Sequence, residues 1–216
     1  MSTEAQQSAS LETHERYFKS RGISILQAPS IVTFLPSSRE GPNPAKTPVF
    51  SRDTLFRYLL DNERAIPHLI GFHEDPFLGS SLTFPDLPFI IKSVSLVLEL
   101  NDGLHGFNGT VHGGMLCSIM DEAMGSIFTQ NDILNREAKA KGLIPADSGE
   151  ITANATASMD VRFLRPLPTP KVVLVTASLD RVEGRRLSLH VRVTDKDGKE
   201  YATCNGSFVT LSKAKI

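Results

Sequence analysis

The chain has 216 residues, of which 40% are hydrophobic and 22% are charged, and its formal net charge is −1. This length and composition favour one soluble domain with a sizeable core and at most a terminal extension. A charge so close to zero excludes a general attraction to nucleic acid or to anionic membranes, and no apolar run approaches the roughly 18–20 residues that span a bilayer.

Cysteine usage and the N-terminal sequence bear on the compartment. The two cysteines, Cys117 and Cys204, have no CxxC spacing and no second pair with which to form a zinc site. Free thiols in a reducing compartment are the simplest interpretation. The first residues carry several glutamates and no apolar segment, unlike a secretory signal. We therefore expect a cytoplasmic protein without a metal site, and a mitochondrial location stays open as the alternative.

The first part of the chain has a different pattern from the rest. Residues 11–22 predict a short helix that ends at a glycine, and residues 51–69 predict a second helix with an N-cap at its start. Proline-rich segments between and after them are typical of loops. We therefore divide the chain into an N-terminal extension of helices and proline-rich loops, residues 1–88, and one domain, residues 89–216.

The second part predicts a series of strands around one helix. Strands are predicted at residues 89–100, 150–167, 171–182, 185–195 and 201–211, and a helix from residue 112 to about residue 130. Residues 134–149 predict a charged helical tail and a loop. A single helix cannot provide the crossovers of a parallel sheet, so the sheet should be antiparallel with the helix on one face. The predicted fold class is therefore α+β.

The predicted helix carries a wide apolar stripe and, at its edge, a row of small residues beside one acid. Gly114, Cys117 and Gly125 form this row, and Asp121 lies at its centre. Because an aspartate is unfavourable inside a helix and costly to bury, the row predicts open space next to a functional carboxylate. A simply solvated Asp121 is the alternative.

The tripeptide His112-Gly113-Gly114 marks the start of this helix. The first N–H groups of a helix lack internal partners, and the helix dipole is positive there. Two glycines let a ligand oxygen approach the backbone without meeting a Cβ atom, which indicates an oxyanion site. The alternative is a tight turn in which His112 caps the helix.

Spacing then constrains how these groups could act together. Gly113 and Asp121 are eight residues apart, or about 12 Å along one helix. An oxyanion donor and a general base must both lie about 3 Å from one carbonyl group or its attacking water. One helix cannot supply both, whereas two antiparallel copies across a two-fold axis could. The sequence therefore predicts a site shared between two chains.

Two segments resemble a known family. GTVHGGMLCSIMDEAMG, residues 109–125, resembles the glycine–histidine–glycine–glycine segment of hotdog-fold acyl-CoA thioesterases of the phenylacetate-pathway and THEM-type branch. An aspartate follows the motif histidine by nine residues in that group, as Asp121 follows His112 here. The segment TASMDVRFLRP resembles a second family segment, in which a Thr or Ser, here Thr156, stands ten residues before the end of an Arg-Pro pair.

The resemblance implies a hotdog fold, with one central helix packed on a curved antiparallel sheet of five to six strands. It implies that the Gly113 N–H, helped by Gly114, polarises a thioester carbonyl, and that Asp121 of the opposing chain is the general base or the nucleophile. Thr156, on the same chain as Asp121, would position the water or the carboxylate, and His112 would shape the turn.

The implied reaction is hydrolysis of an acyl-CoA, or of an acyl-carrier thioester, to the free acid without any cofactor. The implied partner is a second copy of the chain, in a homodimer or a tetramer of paired dimers. Cys117 and Gly125 join Gly114 as substrate-binding positions. The sequence departs from the family where some relatives have an asparagine six residues before the histidine: this position is Gly106, and the nearest asparagine, Asn108, is a candidate substitute.

Several alternatives stay open. Cys117 as a nucleophile is disfavoured because no paired histidine is identifiable. Arg162 and Arg165 could meet CoA phosphates, although a solvated position is favoured. A non-catalytic acyl-CoA binding module would keep the same scaffold. A hotdog dehydratase is less favoured, because its glutamate follows a histidine by fourteen residues, whereas Glu122 follows His112 by ten.

Overall fold

The computed structural model describes residues 3–36, 55–78, 84, 86–107, 109–149, 151 and 153–211. These ranges contain two α helices, α1 (Thr3–Ser20) and α2 (Gly113–Ala140). They also contain seven strands: β1 (Ile31–Phe34), β2 (Leu69–Glu74), β3 (Ser93–Leu100), β4 (Asn154–Phe163), β5 (Lys171–Glu183), β6 (Arg186–Thr194) and β7 (Glu200–Thr210). None of the helices described is both long and apolar enough to cross a membrane.

All seven strands form one antiparallel sheet in the order β1-β2-β3-β5-β6-β7-β4. Helix α2 packs against one face of it, so the predicted α+β hotdog fold is confirmed. The sheet has more strands than the five to six expected because residues 1–88 contribute β1 and β2. The two edges of the sheet are β1 on one side and β4 on the other.

The core lies between α2 and the sheet, as the sequence periodicity predicts. Most of the apolar stripe on α2 is buried, and Ile119, Met120 and Ile127 are fully buried. Strand β6 alternates as predicted, with Leu187, Leu189, Val191 and Val193 buried and the residues between them more exposed. Each fully buried side chain of this size contributes about 1.5–3 kcal/mol, and this packing fixes the position of α2 relative to the strands that flank it.

Helix α1 covers part of the opposite face of the sheet. Its Phe18 is fully buried and packs in one cluster with Ile70 of β2 and Val97 of β3. Because alternate strand residues point to opposite faces, and the neighbours Leu69 and Leu98 pack in the cluster around α2, this cluster lies on the other side. The predicted helix at residues 11–22 is therefore present, and it begins earlier, at Thr3.

The helix predicted at residues 51–69 is wrong over its described part. Residues Leu55–Leu59 form a single π-helical turn, and residues 51–54 lie outside the described residues. The Asn62 side chain accepts hydrogen bonds from the backbone N–H groups of Arg64 and Ala65, which stabilises a turn instead. Pro67 lacks a backbone N–H, and β2 begins at Leu69. The domain boundary after residue 88 stays a prediction.

Helix α2 continues to Ala140, so the helix predicted to about residue 130 and the charged helical tail predicted after it form one helix, and buried asparagines lie in this stretch. The side chain of Asn131 is fully buried and binds both backbone groups of Ile91, with the amide donating to the carbonyl and the oxygen accepting from the N–H, each at 2.9 Å. Asn135 donates to the carbonyl of Pro88 at 2.6 Å. These bonds attach the segment before β3 to the C-terminal half of α2.

Candidate active site

His112 is the N-cap of α2. Its backbone is extended, with φ −62° and ψ 133°, and its Nδ1 accepts a hydrogen bond from the Gly114 N–H at 3.0 Å. Backbone bonds from Val111 to Leu167 and from His112 to Leu104 fix the approach of the chain to the helix. Because Nδ1 accepts, a neutral His112 carries its proton on Nε2. The turn-shaping role expected of His112 therefore takes the form of a side-chain cap.

The cap leaves the two glycines with different environments. The Gly114 N–H is already bound to His112, whereas no acceptor for the Gly113 N–H occurs among the residues described. A Cβ atom on Gly114 would lie 3.1 Å from His112 Nδ1, and one on Gly113 would lie 3.3 Å from Cζ of Phe163. Gly113 is thus a donor that remains available at the positive end of the helix dipole.

Asp121 lies on the third turn of α2 and is half-buried. The Thr156 hydroxyl on β4 donates a hydrogen bond to its Oδ1 at 2.8 Å. No lysine, arginine or histidine among the described residues forms an ion pair with Asp121. The carboxylate is therefore oriented by one hydroxyl, and its second oxygen stays available to another hydrogen-bond donor, such as a water.

The row of small residues does provide space next to Asp121. A Cβ atom on Gly125, one turn further along α2, would meet nothing within 4 Å. Cys117, one turn earlier, is half-buried, and burial raises the pKa of its thiol. Burial also raises the pKa of Cys204 on β7 to about 11, with smaller contributions from Cys117, Asp160 and Asp121. Both thiols stay protonated near neutral pH, which disfavours Cys117 as a nucleophile.

Strand β4 runs beside the first half of α2 and contacts it at two places. Thr156 lies near the start of β4 and binds Asp121, and Phe163, its last residue, places its ring against Gly113. The structure therefore brings Thr156 and Asp121 together, but it keeps Gly113 and Asp121 apart within one chain, eight residues along the same helix.

Phe163 lies in this region, but the sequence pattern does not predict it as a site residue. Neither its aromatic side chain nor its position two residues before the Arg-Pro pair indicates a functional role. Only the register of β4 on β7, in which Phe163 pairs with Ala202, turns its side chain towards the start of α2.

Three other positions can be compared with their predictions. A Cβ atom on Gly106 would lie 3.0 Å from Cα of His112, so an asparagine at this position would not fit without a shift of the backbone. Asn108 lies outside the described residues. Arg162 pairs with Thr203 on the sheet face opposite α2, and the Arg165 guanidinium binds the carbonyl of Glu200. Neither arginine points to the Asp121 region by these contacts.

Fold and site together define a class of protein. A long helix packed on an antiparallel sheet is the hotdog arrangement that the sequence resemblance implied. Gly113 opens that helix about two turns before Asp121, which Thr156 binds. Within the described residues, no group of three His, Cys, Asp or Glu side chains could hold a metal ion.

Comparison with known proteins identifies the family. Residues 108–202 match the family model described as the thioesterase superfamily. Verlamelin biosynthesis protein B of a Lecanicillium species is 32% identical over 175 residues, which are 74% of this chain and 73% of the relative. The chain belongs to the thioesterase superfamily.

Two further similarities cover less of this chain. The acyl-coenzyme A thioesterase THEM4 of Bos taurus is 30% identical over 113 residues, 52% of this chain and 38% of the relative, so the chain spans well under half of that protein. The structure of the E. coli PaaI protein from the phenylacetic acid degradation operon is 14% identical, with a TM-score of 0.45, over 56% of this chain and 73% of that chain.

Proposed function

We propose that this protein hydrolyses the thioester of an acyl-CoA to the free acid and CoA, at a site formed by two copies of the chain. The observation that carries the proposal is the 2.8 Å hydrogen bond from Thr156 to Asp121. It links two residues 35 positions apart in the chain, and both are the positions to which the family resemblance gives roles. Membership of the thioesterase superfamily and the similarity to THEM4 support the same reaction.

The chemistry needs one activated water and one polarised carbonyl. The substrate carbonyl oxygen accepts from the Gly113 N–H of one chain, which stabilises the negative charge that develops on it. The partner's Asp121 takes a proton from water as the oxygen attacks the carbonyl carbon. The C–S bond then breaks, and the thiolate of CoA leaves and takes up a proton. Direct attack by the carboxylate, through an anhydride that water opens, is the alternative route.

The edge position of β4 supports the pairing of two chains. β4 is ten residues long and most of its residues are exposed, while β7 is its neighbour on one side alone. An uncovered edge of this length is a surface on which a second strand can add. Two β4 strands related by a two-fold axis would bring the helices α2 side by side and create two identical sites. A tetramer of two such dimers is a further possible assembly.

The rate enhancement available from these groups is substantial. A general base contributes about 10²–10⁴-fold and an oxyanion donor about 10²–10³-fold. A thioester already has a good leaving group, so the proposed site needs no metal or redox cofactor to reach a useful rate. Thr156 orients the carboxylate and contributes through it.

Release of CoA from a panel of acyl-CoAs, followed with a thiol reagent, tests the proposal. We expect Asp121→Asn to lower kcat by about 10²–10⁴-fold and to leave the dimer intact. Asp132→Asn is the matched control, because Asp132 lies on the same helix in an exposed pair with Arg136 and should leave kcat unchanged. Full activity of Asp121→Asn would contradict the role of this carboxylate.

A non-catalytic binding module is the second candidate, because the scaffold and the oxyanion N–H would also hold an acyl-CoA without turnover. A wild-type protein that binds acyl-CoA but releases no CoA from any member of the panel would establish this function instead. Inclusion of a 3-hydroxyacyl-CoA, with detection of the enoyl product, tests the less favoured dehydratase.

A further inference from the structure

The side chain of Phe163 is unusually exposed for its place in the fold. It is 55% exposed, although it lies in register with the buried Ala202 on the side of β4 that faces α2. Its neighbours on this face, Met159 and Val161, pack against the core. An aromatic ring that reaches past the end of the core, onto the surface beside a helix start, is available to a ligand.

The ring points directly at Gly113. Of its atoms, Cζ at the tip comes closest to the place where a Cβ on Gly113 would stand, at 3.3 Å, and the two Cε atoms follow at 3.7 Å each. The ring thus covers one side of the first residue of α2. That residue carries the N–H group for which the described part of the chain offers no acceptor.

We propose that Phe163 is a substrate-contacting residue that packs against the methylene groups next to the thioester and keeps water from the Gly113 N–H. The inference rests on the proposed function, which places the substrate carbonyl oxygen about 3 Å from this N–H. The atoms bonded to that carbonyl carbon then lie next to the ring. With water excluded, the hydrogen bond from Gly113 to the developing oxyanion is stronger than in bulk solvent.

The thioester has apolar groups on both sides, the acyl chain on one and the pantetheine arm on the other. Both groups present methylenes to an aromatic ring. Kinetics with a series of acyl-CoAs, from acetyl to palmitoyl, shows which of the two groups the ring contacts. An equal loss of activity for every acyl chain from acetyl to palmitoyl indicates contact with the pantetheine arm. A loss that is absent for acetyl and grows with chain length indicates contact with the acyl chain.

The test compares Phe163→Ala and Phe163→Leu with Leu164→Ala as the matched control, since Leu164 is the next residue and is 46% exposed. Thermal unfolding first shows that all variants fold. We expect Phe163→Ala to lower kcat/KM by about 10- to 100-fold with part of the loss in kcat, Phe163→Leu to restore most of it, and Leu164→Ala to match the wild type.

A binding measurement makes the outcome independent of turnover. An S-(2-oxoalkyl)-CoA keeps a carbonyl but cannot be hydrolysed, and Phe163→Ala should weaken its binding at least tenfold. If the wild type is inactive, the proposed hydrolysis fails, and the role of Phe163 is decided by this binding alone. If Phe163→Ala stays within twofold of the wild type in analogue binding, and in kcat/KM where the wild type turns over, the inference is overturned.

Discussion

The hydroxyl of Thr156 is the clearest single-atom feature of the site. It donates to Asp121 from an exposed position on β4, so its contribution to folding should be small and its contribution to activity large. Water competes for this bond in the free protein, but with substrate bound and water excluded, a hydrogen bond to the charged carboxylate is worth about 1.5–3 kcal/mol, which corresponds to about 10- to 100-fold in rate.

We therefore expect Thr156→Val, which keeps the shape and removes the hydroxyl, to lower kcat by about 10- to 100-fold. Thr156→Ser keeps the donor and should stay within about threefold of the wild type. Steady-state kinetics with one acyl-CoA checks both, and urea unfolding shows that stability is unchanged. A serine variant as impaired as the valine variant would mean that the methyl group of Thr156 matters instead of its hydroxyl.

At the residue level, local spacing within the two segments that resemble the family singles out the site candidates. Asp121 and Thr156 were singled out by their distances from motif residues, and the structure places them in hydrogen-bonding contact, while their catalytic roles stay predictions. The cap made by His112 was one of two open alternatives. Phe163 was missed because its position depends on the pairing of β4 with β7, which no local pattern reveals.

At the scale of elements, the hairpin between β6 and β7 is organised by one buried carboxylate. Asp195 accepts hydrogen bonds from the backbone N–H groups of Asp197 and Lys199 at 3.1 and 3.0 Å, and from the Tyr201 hydroxyl at 3.1 Å. Lys171 pairs with it at 3.1 Å. Burial by itself would raise the pKa of Asp195, but the bonds from Lys171, the backbone and Tyr201 hold it below its ordinary value.

Because the pKa of Asp195 is lowered in the folded state, its contribution to the free energy of unfolding decreases as the pH falls. Asp195 contributes its full stabilisation above the unfolded-state pKa of about 3.9, and this is lost as the pH falls through the lower folded-state pKa. We expect Asp195→Asn to reduce the free energy of unfolding at pH 7 by about 1–3 kcal/mol, and the difference from the wild type to shrink towards pH 3. Urea unfolding at several pH values measures both.

Asp197→Asn is the matched control for this hairpin, since its carboxylate is exposed and pairs with the neighbouring Lys196. Exposed pairs contribute little, so this variant should follow the wild type at every pH. If Asp195→Asn keeps the same deficit at pH 3 as at pH 7, its effect comes from packing, and the ionic explanation is wrong.

The elements themselves were predictable to different degrees. Strands β3 to β7 follow from apolar and β-branched runs, with a clear alternation in β6, and the start of α2 follows from the tripeptide His112-Gly113-Gly114. The second N-terminal helix was wrong because local apolar spacing cannot weigh the turn formed by Asn62 or the pairing of β2 with β3. The predicted helix and its charged helical tail form one helix. The hydrogen bonds that anchor its second half were beyond a periodicity argument, because the partners of Asn131 and Asn135 lie about forty residues away in sequence.

At the scale of the whole molecule, the separation of Gly113 from Asp121 by eight residues of one helix is the reason for the proposal that a second chain completes the site. Gly113→Pro removes the proposed oxyanion donor with little disturbance. Proline is favoured at the first position of a helix, which Gly113 occupies. The extended backbone of His112, with ψ 133°, is the conformation that a following proline requires. The ring of Phe163 would need to move by a few tenths of an ångström.

Mixed dimers of Gly113→Pro and Asp121→Asn then distinguish a shared site from a site within one chain. Each variant alone should be nearly inactive. In a mixed dimer, one site combines the intact Gly113 of one chain with the partner's Asp121, and the other site carries both changes. Random pairing makes half of all dimers mixed, so about a quarter of the wild-type activity should return on co-refolding. A site within one chain would give no recovery, because no single chain in the mixture has both groups. Activity of the mixture that does not exceed the sum of the two separate variants would therefore show that each chain works alone.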